Sequence, residues 1–306
     1  MRNESASLEL RLWRQFVAVA EELHFGRAAI RLHMTQPPLT QAIAHLERLL
    51  EVRLFDRTKR SVALTPTGLA LLPEAINLLT RAEALPVHAR AAAAGEVGRL
   101  RLAFVSTAGY SLLPPWVRAF RERYPAVQLD LLEATGDRQL QALAQGEIDA
   151  GLMLHSPGFS PPGLARRLIA REPLLLALPE HHALAAASAL ALEQVLDEPL
   201  VMFPRRSLPS LYDAILGIYQ AQAHTPQVAQ EAIQMQTIVN LVSAGLGVAW
   251  VPESVRQFQR QGVAYRSVAF KRGRRAPVCE TSLVWREGHA SPALGRFSEF
   301  APEPAA

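Results

Sequence analysis

The chain of 306 residues has one cysteine, Cys279. That excludes a disulfide framework and any metal site built from several thiolates. Lysine is nearly missing, with Lys59 and Lys271 the only two, so arginine carries almost all the positive charge. Arginine forks suit phosphates and guanine edges, but a GC-rich genome favouring Arg and Ala codons gives the same bias. A net charge of +4 does not by itself mark a nucleic-acid binder. No apolar run reaches the roughly 18 residues of a membrane span. The start, MRNESASLELRLW, lacks the apolar stretch of a signal peptide, so a cytoplasmic protein without membrane contact is expected. No G-x-S-x-G, P-loop or dinucleotide fingerprint occurs. His181-His182 lacks metal-ligand spacing, Cys279 lacks an activating histidine pattern, and Asp149 in GEIDAG suits a structural role. Neither a catalytic site, a metal nor a cofactor is expected. With 49% apolar and 20% charged residues, the chain is globular with a sizeable core.

Residues 8–65 read as a compact helical unit. Leu12, Phe16, Val19 and Leu23 recur at helical spacing, as do Leu39, Ile43, Leu46 and Leu50. Between them lies a short helix over 27–32, with Gly26 as its cap, and a turn at His33-Met34-Thr35. Thr35 suits the N-cap of the third helix, whose first turn holds Pro37 and Pro38. The run VRLFDRTKRSVALT predicts a two-stranded hairpin with a basic tip at Arg57, Lys59 and Arg60. Three helices and a basic hairpin form the pattern of a winged helix-turn-helix, with the third helix in the major groove. Gln36, Thr40 and Gln41 lie opposite that helix's apolar face and suit base edges. A merely solvated face has the same spacing; the basic tip favours DNA.

Residues 67–94 continue as a long helix with a seam at Leu69, Leu72, Ile76, Leu79 and Ala82, the geometry for pairing with a second copy through Leu72, Ile76 and Leu79. Pro86 is expected to end or kink it, and 91–98 to be a linker. Beyond Arg99, strands and helices alternate. The βαβαβ order predicts a parallel sheet with helices on both faces. A second series begins near Pro173, and the last strand and helix return to the first half. The expected domains are 1–66, winged helix-turn-helix; 67–98, linker and dimerisation helix; and 99–306, an α/β domain of two subdomains, about 99–171 with 268–306 and about 172–267.

The run FGRAAIRLHMTQPPLTQAIAHLERLLEVRLFDRTKRSVALTPTGLALLP resembles the N-terminal pattern of the LysR-type transcriptional regulators. RERYPAVQLDL, GEIDAGL and SAGLGVAWVP extend the resemblance along the chain, and LVMFPRRSLPS is similar to regulators of aromatic catabolism that respond to muconate. The resemblance implies a homotetramer, a dimer of dimers, with antiparallel linker helices, and a C-terminal half resembling periplasmic solute-binding proteins with a small effector in its cleft. It implies DNA contacts by Thr35, Gln36, Pro37, Thr40 and Gln41 on the helix, by Arg57 and Arg60 on the wing, and by Arg31 on a phosphate.

The cleft reads physically as well. Ligands of open α/β sheets sit beyond the carboxyl ends of strands. Those ends carry Ser106, Thr107, Thr135, Met153, Met202, Phe203 and Pro204, and helices start just after them, favouring an anion. Hydroxyls beside apolar side chains suit a small organic acid. Ser106 and Thr135 serve equally as helix caps, and the two methionines as core. Where muconate-responsive relatives place arginines, this chain has Leu154 and Ala170, which argues for a monoanion. A reading from another class is a small-molecule-binding or enzymatic α/β domain whose helical N-terminus only dimerises; residues 25–65, with TQPPLT and a basic wing, discriminate against it.

Overall fold

The computed structural model describes residues 9–58, 61–270 and 277–304. Contacts divide the chain into two compact units, one ending at Arg90 and one beginning at Ala91.

In the first unit, α1 (Leu10–Glu22), α2 (Phe25–Arg31) and α3 (Gln36–Leu50) surround a core of Phe16, Val19, Phe25, Leu39, Ile43 and Leu46. Spacing over α1 and α3 produces this core directly, since residues three or four apart share a face. Leu23 departs from the expected face. It adopts φ 46°, ends α1 in the left-handed region and lies exposed. The cap of α2 is His24 rather than Gly26: its Nδ1 accepts the Arg27 N–H at 3.2 Å, so the helix starts at Phe25. A hairpin of β1 (Phe55–Arg57) and β2 (Val62–Leu64) follows, antiparallel with Phe55 opposite Leu64. Its expected basic tip falls on Lys59 and Arg60, outside the described residues.

Helix α4 (Pro66–Ala93) has 28 residues, about 42 Å at 1.5 Å per residue. It runs through both Pro73 and Pro86, so Pro86 does not end it. Each proline removes one N–H from the ladder, and both rings lie at exposed positions where water can serve the freed carbonyl. Thr65 anchors the helix start: its Oγ1 accepts the Gly68 N–H at 3.0 Å and donates to the Arg53 carbonyl at 2.7 Å. A Cβ on Gly68 would fall 2.3 Å from the Leu54 carbonyl, so only glycine fits there.

The second unit begins with β3 (Gly98–Phe104), α5 (Leu113–Arg123), β4 (Val127–Glu133), α6 (Gly136–Gln145) and β5 (Ala150–His155). Strands β4, β3 and β5 are parallel neighbours, as the βαβαβ order requires. The long β6 (Leu164–Pro179) follows, then β7 (Ala189–Ala191), β8 (Leu200–Met202), α7 (Pro209–Gln220), β9 (Val228–Glu231) and α8 (Met235–Ser243). The chain ends with β10 (Ala249–Pro252), β11 (Val263–Ala269), β12 (Val278–Arg286) and α9 (Pro292–Glu299).

The main sheet runs β4-β3-β5-β12-β6-β11-β7, with β10 also on β6. It is mixed rather than wholly parallel, because β12 is antiparallel to both β5 and β6. Strand β6 spans both halves: its first ten residues pair with β12, and its last six with β10 or β11. Strand β12 and helix α9 join the first half of this unit. Leu294 and Phe297 of α9 pack with Leu100, Trp116 and Phe120, and the Trp116 indole stacks 4.3 Å from Phe297 while donating to its carbonyl at 2.7 Å. The other half has its own core around Leu176, Leu200, Ile215, Tyr219, Val239 and Trp250.

Candidate nucleic-acid interface and ligand cleft

The start of α3 and the hairpin flank a concave surface of about 380 Å³ lined by Gly26, Gln36, Thr40, Arg57 and Ser61 among others. Thr35, Gln36, Pro37 and Gln41 are exposed. Thr40 is half-buried, and its Oγ1 donates to the Gln36 carbonyl at 3.1 Å. Thr35 holds the extended N-cap conformation with no capping bond from its side chain. This end of α3 lies exposed, but Pro37 and Pro38 carry no N–H, so it lacks the row of free donors that a helix start usually presents.

Glu47 joins helix to wing. Its Oε1 accepts the N–H of Leu54 at 2.9 Å and of Phe55 at 3.1 Å, and its Oε2 holds Arg57 at 2.9 Å. The Arg57 guanidinium also lies over the Phe25 ring, 4.8 Å from its centre. Arg57 is therefore a fastener of the wing in this structure. Arg31 is likewise engaged, 2.6 Å from Glu21 and 3.7 Å from Glu22. Arg60 lies outside the described residues. Glu47 and Phe25 were missed as site residues, although L-E-x-x-L and L-F-x-R already placed a carboxylate and an arginine at matching ends of the motif.

Along α4 the expected seam divides. Leu79 is buried in the unit's own core beside Ala75, and Leu72 packs half-buried against it. Ile76 is 40% exposed and Leu69 60%. These two, with Val87, share a face of the helix that nothing in the unit covers.

In the second unit, the ends of β3, β4 and β5 meet the starts of α6, α7 and α8 around a cavity of about 50 Å³. Ser106, Thr107, Thr135 and Phe203 line it, as their positions at strand ends predict. Met153, Met202 and Pro204 do not. Strand side chains alternate between faces, so Met153 turns into the core near Ala142 and Leu143 while its neighbour Leu154 faces the cavity. Met202 turns to the other core in the same way. Pro204 precedes the 3₁₀ turn Arg205–Ser207, which swings Ser207 and Leu208 to the lining instead. Ile233, Gln234 and Met235 complete it. They were missed because their signal is only the start of a helix. The two sides approach closely: a Cβ on Gly136 would lie 3.3 Å from the Ser207 carbonyl.

No side chain caps the start of α6, α7 or α8. Thr135 sits at an N-cap without capping, so its hydroxyl is not used in that role. Thr107 is only 5% exposed, and its Oγ1 has no hydrogen-bond partner among the described residues. The cavity thus gathers unused donors within a mostly apolar lining.

Other polar clusters are engaged structurally. Asp149 accepts from the Arg101 backbone N–H and from its guanidinium, both at 2.7 Å, which raises the arginine's pKa. Burial pushes the Cys279 thiol well up, removing thiolate character. His155 and Ser282 are 2.9 Å apart, but both are buried. The His155 Nδ1 lies 2.8 Å from the Ser156 carbonyl and 3.8 Å from Glu280, whose carboxylate meets Arg171 at 2.5 Å, so no hydrolytic triad is assembled. Among the described residues, no group of three His, Cys, Asp or Glu could hold a metal ion, and no helix is long and apolar enough to cross a membrane.

A helix-turn-helix with a wing, joined to a two-lobed α/β domain with a cleft, defines a ligand-responsive DNA-binding regulator. The sequence pattern of the lysR-family bacterial regulatory helix-turn-helix protein matches residues 10–69, and that of the LysR substrate binding domain matches residues 93–305. The chain belongs to the LysR family. It is 46% identical over 288 residues to the HTH-type transcriptional regulator IlvR of Caulobacter vibrioides, covering 94% of this chain and 95% of that one. It is 39% identical to the regulator AlsR of Bacillus subtilis, covering 85% and 86%. The crystal structure of full-length CbnR complexed with its target DNA superposes with a TM-score of 0.78 at 31% identity, covering 96% of this chain and 98% of that one. These relatives are transcriptional regulators, and the enzymatic reading of the α/β domain is set aside.

Proposed function

We propose that this LysR-type regulator reads double-stranded DNA through the first turns of α3 and changes its hold on DNA when a small organic anion enters the cleft. Gln36, Thr40 and Gln41 face base edges in this reading, Thr35 and Pro37 lie along the backbone, and Arg60 adds a positive charge for the phosphates. Arg57 and Arg31 act on DNA mainly through the elements they fasten. Two chains pair through the uncovered face of α4, with Ile76 at the centre of the contact between Leu69 and Val87, while Leu72 and Leu79 support that face from the unit's own core, and pairs assemble into a cytoplasmic homotetramer. The observation that carries the effector claim is the buried Thr107 hydroxyl without a partner, set among three uncapped helix starts. An anion supplies the missing acceptor. Binding favours one arrangement of the two lobes, and only differential affinity for the two arrangements can shift them.

The test is a gel shift on the intergenic DNA upstream of the gene, at stated salt, with and without candidate acids. An effector response that Ser106→Ala blunts, with effector-free binding intact, supports the reading. A response unaffected by Ser106→Ala and by filling the cleft counts against it.

A further inference from the structure

We infer that the ligand of this cleft is a monocarboxylate of about two to four carbons with no second charge: a plain, hydroxy or oxo acid rather than an amino acid, a diacid or an aromatic acid. This rests on the cleft being the effector site, as proposed above.

The first ground is charge. None of the residues lining the cavity is Asp, Glu, His, Lys or Arg. One carboxylate is served without them, because the starts of α6 and α8 leave N–H groups uncapped and the Thr107 Oγ1 is buried and unpartnered. An α-ammonium would meet no carboxylate there, and burying an unpaired charge is strongly unfavourable. A second carboxylate would find no cationic side chain in the lining. An uncharged α-hydroxyl or α-oxo group has Ser106 and Gln234 to meet it.

The second ground is size. The cavity measures about 50 Å³, whereas a cavity of about 150 Å³ accommodates benzene. A short alkyl body against Val105, Ala134 and Leu154 fills the available space. An aromatic ring does not fit.

The experiment is isothermal titration calorimetry of the full-length protein against a matched three-carbon set, propionate, lactate and alanine, with succinate and benzoate as controls. Propionate or lactate is expected to bind saturably, one per chain. Alanine should bind at least about tenfold more weakly, and succinate and benzoate should give no saturable heat. Thr107→Val keeps the side-chain shape and should weaken the acid about tenfold, the effect of losing one hydrogen bond to a charged group. Ala134→Leu should abolish binding by filling the cavity. Both variants should keep the native circular dichroism spectrum and a cooperative thermal transition of the second unit, which establishes that it folds.

Alanine, succinate or benzoate binding as tightly as propionate, and lost in Ala134→Leu, would overturn the chemical class while leaving the cleft as the site. Failure of every acid to bind a protein that still shifts DNA would also overturn the class. Propionate or lactate binding unchanged in both variants would overturn the cleft itself.

Discussion

The helix-and-wing surface and the cleft use polar groups in opposite ways. Around the wing, polar groups are spent on one another. Glu47 accepts from two backbone N–H groups and from Arg57, Thr65 ties the start of α4 to Arg53, and Arg31 is held by Glu21 and Glu22. In the cleft they are left over: Thr107 Oγ1 has no partner among the described residues, and three helices start without side-chain caps. A fully satisfied network rigidifies, whereas an unsatisfied buried group costs about 1–3 kcal/mol until something meets it. The first arrangement suits a surface that must keep one shape to read DNA. The second suits a site completed by its ligand.

The contrast is broken most severely at α4. Ile76→Asp places a charge on the exposed apolar face of the helix, where a second copy would bury it without a partner. Dimerisation is expected to fail while the single chain still folds, and footprints at paired half-sites should vanish. Analytical ultracentrifugation with footprinting checks this; unchanged assembly would remove α4 as the contact. Next in size, Glu47→Ala strands the Leu54 and Phe55 N–H groups and frees Arg57. It should cost about 2–4 kcal/mol in the stability of the first unit, read by denaturant unfolding. DNA binding should fall with it, and Glu47→Gln should recover part of the loss.

Smaller effects sharpen the division of labour on DNA. Gln36→Ala should weaken specific binding by about 1–3 kcal/mol and leave random-sequence binding nearly intact. Arg57→Ala should weaken specific and random binding together. If Arg57 acts by fastening the wing to Glu47, the slope of affinity with salt should change less than loss of a phosphate contact implies. Equal losses on both DNAs for Gln36→Ala would remove its role as a base reader.

The smallest effect is one of pH. Burial holds the His155 imidazole below its ordinary range, with the Ser156 carbonyl and Glu280 opposing that shift and Arg166 adding to it. The unfolded chain titrates this group near pH 6.5, so below about that value the unfolded state takes up a proton that the folded state refuses. The stability that His155 supports is complete above about pH 6.5 and is lost as pH falls through the folded pKa. Thermal melts between pH 7.5 and 5 should show a shallower decline in His155→Gln than in the native protein. A steeper decline would contradict the assignment.

Much of this was legible in the sequence because the signals are local. The apolar spacing over α1 and α3 fixes the first core. The strand ends carrying Ser106, Thr107, Thr135 and Phe203 do line the cleft. What stayed hidden depends on partners distant in sequence. The first half of β6, LARRLIARE, carries charges at both odd and even positions, so no two-residue alternation marks it as a strand until β12 is known to pair with it. That Leu154 rather than Met153 faces the cleft depends on the phase of β5, which a run buried throughout does not reveal. Ser207 and Gln234 sit at the starts of helices from the other lobe, so only the packing of the two lobes brings them to the cavity that Thr107 lines.

On this reading the cleft stands incomplete until a ligand enters it, whereas the helix-and-wing surface is complete without one. Hydrogen–deuterium exchange on the full-length protein, with and without saturating propionate or lactate, tests it most directly. Slowed exchange is expected at 106–108, 135–138, 207–210 and 234–237, with the backbone of residues 54–55 already slow and unchanged. Slowing confined to residues outside those four segments, or no change in a protein shown by calorimetry to be saturated, would contradict the account.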